Sequence, residues 1–411
     1  MNIELFLAKR LYGTRKGGRR ISRPAVAIAQ WGVAVGTLVM FVSICIIVGF
    51  KQQIRDKIIG FGGHIQVMSY DALSDGDAPV SADSLFVSEL QNVDGVKHVQ
   101  RFAIKPGMLV GNDEYEGIAL KGVGGDYDLS FIKENIVEGE LPVWNNDKAS
   151  NAIVLSRSTA NKLALGIGDK VNIYFLQDGV KARRMSVAAI YETHLSELDN
   201  IMALTDIYTV RRLNGWSSNE CSGLEISISD YNDMEYAGSG VNMVVERRNS
   251  FGTKLYASTV DELYPSLFAW LSVLDQTVWL ILILVLFIAG FTTVSGLLIL
   301  ILEKSNFIGV MKAVGARDVS ISKVFLYYSC FIIAKGILWG NAIALVVCLL
   351  QQQFRIVGLD PSMYYMDCVP VEFTWLLVPM NIGIFILSVL MLLLPSMFIS
   401  RIEPTKAIKF E

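Results

Sequence analysis

The chain has 411 residues, of which 52% are hydrophobic and only 18% charged, and its formal net charge is −3. That is too apolar for a soluble globule and too charged for a bundle of membrane spans alone, so it points to a membrane protein with a large aqueous domain. Residues 1–23 hold seven Lys and Arg against one acid, whereas residues 51–276 hold 20 basic and 31 acidic residues, which argues against nucleic acid as a partner of that segment.

In chain order, residues 2–12 place Ile3, Phe6, Leu7 and Leu11 on one helical face with Lys9 and Arg10 off it, the pattern of a short interfacial helix. A basic loop follows. Pro24–Phe50 carries no formal charge and is long enough for a ~30 Å hydrocarbon core with some tilt. A signal peptide is the competing reading. The apolar run is too long for one, and no small-x-small site precedes Lys51, which favours an uncleaved anchor. Further spans are expected at Thr277–Leu302, Val324–Leu350 and Phe373–Ser400. Basic residues before the first span, between the second and third, and after the fourth put both termini inside.

Two of these helices overrun the bilayer. Ile47, Phe50, Ile54 and Ile58 extend one apolar face beyond the first span. Ser266–Leu302 is a helical pattern of ~55 Å, so both are expected to project outward as stalks. Between them, about Gly62–Tyr264, short alternating strands are expected at His64–Met68, Gly117–Val123, Ala152–Leu155, Lys170–Leu176, Met185–Tyr191 and Gly223–Ile228. Helices are expected at Ala82–Gln91 and Ser156–Ala164. The segment reads as an α+β domain.

Signals for chemistry are weak. No G-x-x-x-x-G-K-[ST] occurs, so the chain has no P-loop. Gly122, Gly124 and Gly125 read as a turn. His64, His98 and His194 are far apart, and no metal-ligand spacing joins them. Ser156 and Ser158 sit in no nucleophile elbow. Of the five cysteines, Cys45, Cys330 and Cys348 fall in apolar runs; Cys221 and Cys368 lie outside them, and no spacing indicates a disulfide framework. Lys335 falls near the middle of the third span. Gly336 and Gly340 would let helices pack closely around it, with its amine bonded to a carbonyl; snorkelling and a role in transport are the other readings.

The stretch Glu303–Lys323 lies between two membrane-length runs. Phe307, Val310, Met311 and Val314 recur on one face of a short helix. Gly315 stands where a left-handed stop belongs, and Asp318 and Ser320 start another helix. Ile308-Gly309, Lys312-Ala313 and Gly315-Ala316, with Glu303 upstream, resemble the I-G-x-x-K-A-x-G-A segment of the MacB/FtsX/lipoprotein-releasing permeases. Many members carry an acid where this chain has Phe307. The resemblance covers essentially the whole chain. GFKQQIRDKIIGFGGHIQV (49–67) is similar to the G-F-x₇-I-x-G-x₃-H-I-x-V of the LolC/LolE type. VAAIYETHLSELDN (187–200) is similar to its V-x-G-I-[FY]-E-[ST]-G-x-x-[ED]-x-D. Pro395, Pro404 and Ala407 match its ending. MacB chains carry a fused ATPase and FtsX chains are shorter, so the length favours the LolC/LolE branch.

The resemblance implies a membrane α-helical fold with four transmembrane helices and a large α+β periplasmic domain between the first and second. The expected organisation begins with a cytoplasmic interfacial helix and basic loop over 1–23 and a transmembrane helix over 24–50. A periplasmic MacB-like domain with helical stalks follows over 51–276. An FtsX-like permease domain covers 277–405, with spans 277–302, 324–350 and 373–400 and a coupling helix at 304–315. A cytoplasmic tail, 406–411, ends the chain.

The implied machine is an ABC transporter of the bacterial inner membrane. A separate cytoplasmic ATPase of the LolD type drives release of lipoproteins from the outer leaflet to a periplasmic carrier of the LolA type. This chain would be a non-catalytic subunit with no cofactor, paired with a second copy or a paralogue and in contact with membrane lipids. A MacB-like efflux subunit and an FtsX-like regulator of a cell-wall hydrolase are the alternatives.

Three groups of residues follow. Glu303, Phe307, Ile308, Gly309, Met311, Lys312 and Gly315 would couple to the ATPase, with Phe307 and Met311 inserted into it. Met40, Ile44, Ile47 and Phe50, with Leu267, Trp270, Leu271 and Leu274, would line a lipid cavity or else pack against the third and fourth spans. Lys181, Arg183 and Arg184, in a short hairpin lacking the family's Pro-containing arm, would meet an acidic carrier or form a plain turn.

Overall fold

The computed structural model describes residues 3–13, 22–72, 78–111, 114–176 and 179–392. The basic loop at 14–21, the fourth expected span beyond 392 with Pro395, and the tail with Pro404 and Ala407 lie outside the described residues. In chain order the helices used below are α1 (Ile3–Gly13), α2 (Ser22–Gly62), α3 (Ser84–Gln91), α4 (Ile207–Asn214), α5 (Met234–Asn249), α6 (Pro265–Glu303), α7 (Ser305–Ala313), α8 (Asp318–Phe354) and α9 (Leu377–Met391). The chain divides into two units. One comprises residues 1–51, 270–358 and 368–411 and is helical; the other comprises 52–269 and 359–367 and is α+β. The divisions fall inside α2 and α6.

In the helical unit, α2, α6 and α8 are each long and apolar enough to cross a membrane. The described part of the fourth expected span is the 15-residue α9. Close approach of α2 to its neighbours depends on glycine. A Cβ on Gly32 would lie 2.5 Å from Thr292 of α6, and one on Gly36 would lie 3.1 Å from Ala289. From the other side, Cβ atoms on Gly336 and Gly340 of α8 would lie 2.9 Å from the Gln30 carbonyl and 2.6 Å from the Ala34 carbonyl. Helices in lipid gain little from apolar burial, so fitted surfaces of small residues hold them together. Thr292 and Thr293 donate their hydroxyls to the carbonyls four residues back, at 2.8 and 2.7 Å, which satisfies them within their own helix. Asn341 of α8 donates to Asn381 of α9 at 2.8 Å. α1 packs against α8 and buries Ala8, while Ile3 and Phe6 stay exposed.

The α+β unit contains β1 (Ile65–Ser69), β2 (Val80–Ser81), β3 (Val96–Val110), β4 (Tyr115–Val123), β5 (Ile136–Gly139), β6 (Ala152–Ser156), β7 (Lys170–Phe175), β8 (Lys181–Tyr191), β9 (Met202–Asp206), β10 (Glu220–Cys221), β11 (Gly223–Ile228) and β12 (Leu255–Thr259). The six strands expected from alternation are all present. Their pairings close a ring, β3-β4-β9-β6-β8-β7 and back to β3, with β4-β9 and β6-β8 parallel. Val171, Ile173 and Phe175 alternate with polar residues along β7 and point into the ring's core beside Leu109, Leu120, Leu155 and Val187. β3 also leaves the ring and continues as an antiparallel sheet in the order β3-β11-β1-β12.

β3 was not legible because it contains Pro106-Gly107. Pro106 lies between the end of pairing with β11 at Phe102 and the start of pairing with β7 at Met108, where the strand needs no donor on that side. A Cβ on Gly107 would lie 2.8 Å from the Phe175 ring. The Gly-rich patch is a turn only in part. Gly122 is inside β4, and a Cβ there would lie 2.7 Å from Val210 of α4.

A charged network sits in this unit's interior. Lys121 and Glu225 are 2% and 1% exposed. The Lys121 amine donates to Glu225 (2.6 Å), to the Tyr127 hydroxyl (2.8 Å) and to the Phe61 carbonyl in the last turn of α2 (2.5 Å). Glu225 also accepts from Tyr127 at 2.6 Å and from Gln100 at 3.0 Å. Burial holds the Tyr127 phenol well above its ordinary range, with the Glu225 carboxylate adding to the effect. The amine thus joins the carbonyl end of a helix to two strands at the point where the helix macrodipole favours a cation.

Candidate coupling segment and exposed surfaces

α7 follows α6 with one residue between them. Its end is a Schellman stop: Ala316 N–H donates to the Met311 carbonyl, Gly315 N–H donates to that of Lys312, both at 3.0 Å, and Gly315 has φ +92°. A side chain at 315 would meet nothing within 4 Å, so glycine is there for its backbone and not for space. α8 begins at Asp318, and Asp318 receives Lys312 at 2.9 Å across the turn.

The apolar residues of α7 divide. Ile308 and Gly309 are buried, and Ile308 belongs to the core formed by Val33, Leu297, Leu300, Ile321 and Phe325. Met311 packs against that same core, and Phe307 is half-buried. Val310 and Val314 are 51% and 82% exposed. The face free to meet a partner is therefore Val310 and Val314, one turn apart, and Met311 is spent holding α7 to its own bundle. Glu303 lies 3.6 Å from Lys304 and buries one carboxylate oxygen without a hydrogen bond.

The expected cavity residues also divide. Met40, Ile44 and Phe50 are buried within the single chain, and Phe50 meets Trp270 edge to face at 5.7 Å. Lys51 pairs with Asp275 at 2.6 Å one turn along. Ile47, Trp270 and Leu274 are half-buried; Leu267 and Leu271 are buried, and Leu267 falls in the α+β unit. Exposed apolar surface on α6 lies instead along Leu280, Ile283, Leu284, Phe287 and Phe291. Lys335 is exposed on α8, beside the Gly336 contact with α2.

The three basic residues of the hairpin do not form one patch. Lys181 and Arg183 share a face of β8 and Arg184 has the other, because successive strand residues alternate. Lys181 donates to the Leu213 carbonyl at 3.1 Å, while Arg183 and Arg184 are exposed. Beside the hairpin lies an apolar cavity of about 490 Å³ lined by Pro106, Met108, Tyr115, Tyr174 and Leu176. Neither that cavity nor the exposure of Tyr115 and Leu176 was legible in the sequence.

Other candidate residues have structural duties. Ser156 caps the short helix Arg157–Lys162 by accepting from Thr159 N–H at 3.1 Å. His98 meets the Asp126 carbonyl at 2.9 Å. His64 accepts from Ile228 N–H at 3.4 Å, and burial, with Arg55 and Lys97 nearby, lowers its pKa to about 4. In the 187–200 motif the Asp199 carboxylate accepts from Thr193 N–H (3.1 Å) and hydroxyl (2.7 Å). Burial pushes that carboxyl up, and these hydrogen bonds oppose the shift. Among the described residues no group of acids, histidines and cysteines could hold a metal.

A family model described as FtsX-like permease C-terminal matches residues 279–404, and one described as MacB-like periplasmic core domain matches residues 27–242. The chain is 21% identical over 394 residues to the lipoprotein-releasing system transmembrane protein LolE of Haemophilus influenzae, covering 92% of each chain. It is 21% identical over 409 residues to LolC of Xylella fastidiosa, again covering 92% of each. The macrolide export ATP-binding/permease protein MacB 2 of Yersinia pestis is 22% identical over 349 residues, which are 81% of this chain and 49% of that one. Among solved structures, the periplasmic region of MacB from Actinobacillus actinomycetemcomitans covers 51% of this chain and 95% of its own, at 13% identity and a TM-score of 0.37.

Proposed function

Because this chain belongs to the MacB/FtsX permease superfamily, in its LolC/LolE branch, we propose that it is the membrane subunit of a lipoprotein-releasing ABC transporter. The observation that carries the reading is coextension. A MacB-like core and an FtsX-like permease stand in one chain, and that chain covers 92% of LolE and of LolC but only 49% of a MacB that includes its own ATP-binding part.

In this reading the protein sits in the inner membrane with both termini and α7 on the cytoplasmic side. Its fourth span includes α9. A separate ATPase supplies hydrolysis and docks on α7 through Val310 and Val314, with Phe307 at the edge of the contact. Ile308 and Met311 carry the movement into the bundle core. Removing acyl chains from a bilayer costs ~0.8 kcal/mol per CH₂, so extraction needs an energy source, and the subunit passes force across the membrane. The lipid path follows Ile47, Trp270 and Leu274, the members of the expected cavity that the chain leaves half open, and a second copy or a paralogue closes it. The carrier meets the β7-β8 hairpin, which presents exposed Arg183 and Arg184 on its two faces and contributes Tyr174 to the apolar cavity.

The test is reconstitution of the chain with its ATPase in liposomes bearing a lipoprotein, with transfer to an added soluble carrier as the readout. ATP-dependent transfer is expected. Gly315→Val forces a β-branched residue into left-handed backbone, at a cost of roughly 1–2 kcal/mol. It and Val314→Asp should lose most lipoprotein-stimulated hydrolysis with the α+β unit still folded. Met311→Asp should instead lower the yield of folded protein. No transfer under any condition, together with ATP-dependent export of a soluble compound, would replace this reading with efflux.

A further inference from the structure

The segment 359–367 joins α8 to α9, two helices of the helical unit, yet it belongs to the α+β unit. It closes on itself through Leu359 N–H and the Asp367 carbonyl at 2.8 Å and contains the single turn Pro361–Tyr364. Two groups hold it. Lys57, on α2, donates to the Tyr365 carbonyl at 2.6 Å and to the Thr193 carbonyl at 2.7 Å. His194 places Nε2 3.1 Å from an Asp367 carboxylate oxygen and Nδ1 3.8 Å from Glu192.

His194 has φ +63°, the left-handed region, and the motif that 187–199 resembles has glycine at that place. An imidazole held on such backbone is over-determined by its surroundings, and strain of this kind gathers at switches. The charged groups around it include Glu192 after the end of β8, Asp199 beneath the loop, Asp367 on the segment, Glu197 beside Tyr365, and the cation Lys57. A neutral imidazole has one N–H and can serve only one carboxylate. A protonated one donates from both nitrogens and adds a positive charge to a largely acidic cluster.

We propose that His194 is a protonation-controlled latch for the segment joining α8 and α9. Charged, it clamps Asp367 to the α+β unit. Neutral, it keeps at most one hydrogen bond to one carboxylate, and the ion pair with Asp367 is lost. Protonation of the imidazole therefore tightens the hold on Asp367, and its deprotonation slackens it. The latch makes the external connection between two helices of the transporter sensitive to the pH of the compartment it faces. It does not depend on which cargo is moved.

Hydrogen exchange of the full-length chain in detergent tests this, with peptides covering 359–367 compared at about pH 5.5 and about pH 8.5 after correction for intrinsic rates. Because Asp367 is 60% exposed, the pair is screened, and the expected extra protection at the lower pH is about two- to fivefold. His194→Gln and Asp367→Asn should each remove the difference while β8 peptides keep their protection. If His194→Gln loosens β8, His194→Asn takes its place, since asparagine tolerates left-handed backbone. Equal protection at both pH values in the unaltered protein, or an unchanged difference in the His194 variant, would overturn the proposal.

Discussion

In the helical unit close helix contacts are made at glycines. Gly32 and Gly36 let α6 approach α2, and Gly336 and Gly340 bring α8 to within a missing methyl of the Gln30 and Ala34 carbonyls. In the α+β unit a charged cluster is buried among apolar side chains. Lys121, Glu225 and Tyr127 are buried together and satisfied by one another, by Gln100 and by a helix-end carbonyl. The difference follows from solvent. In lipid, burying another leucine between helices gains little, so shape decides the packing. In a water-facing domain, apolar strands supply the drive, and the interior can hold ions provided each one is paired.

The largest expected effect breaks the charged side of this comparison. Lys121→Met leaves Glu225 buried without its cation and should cost about 3–5 kcal/mol of α+β unit stability in denaturant titration. Lys121→Met with Glu225→Leu should recover much of it. No recovery in the double variant would mean that the pair is not what specifies this core.

A second effect, at most about 3 kcal/mol, separates the units by pH. The folded-state pKa of His64 is depressed to about 4, so between about 6.5 and 4 the unfolded chain binds a proton that the folded one refuses. The contribution of His64 is full above about 6.5 and is lost as pH falls toward 4. His64→Gln should flatten that part of the stability curve, read by tryptophan fluorescence of the α+β unit. This runs opposite to the His194 latch, which acid tightens, so the two histidines are distinguishable by sign.

The smallest effect tests the helical side. Gly340→Ala puts a methyl 2.6 Å from a backbone oxygen and should cost about 1–3 kcal/mol in thermal unfolding in detergent. Gly383→Ala, where a Cβ meets nothing within 4 Å, should cost nothing and add up to about 1 kcal/mol through helix propensity. Equal losses at both would show that propensity rather than contact governs these positions.

Legibility differed by element. The long apolar helices, the six alternating strands and the stop at Gly315 were legible because each is set by near neighbours in sequence. β3 was hidden by Pro106-Gly107, whose tolerance depends on which strands pair at that point. α5 was hidden by Gly238 and Gly240; the second of these leaves room for Val93, 2.5 Å from where a Cβ would be. Periodicity marked Phe307, Val310, Met311 and Val314 as one face, and likewise Met40, Ile44, Ile47 and Phe50.

By itself the sequence determined that these faces exist, which segments can cross a membrane, and that residue 315 must turn left-handed. Only the tertiary structure decided which members of a face are already used: Met311 and Ile44 inward, Val314 outward. It also decided that six strands close a ring, that Lys121 finds Glu225, and that residues 359–367 fold with a unit whose main body ends at Ala269. The reason is physical. An amphipathic pattern records that a surface must leave water, while its partner is chosen by contacts between residues far apart in the chain, and the pattern of either one alone does not record that choice.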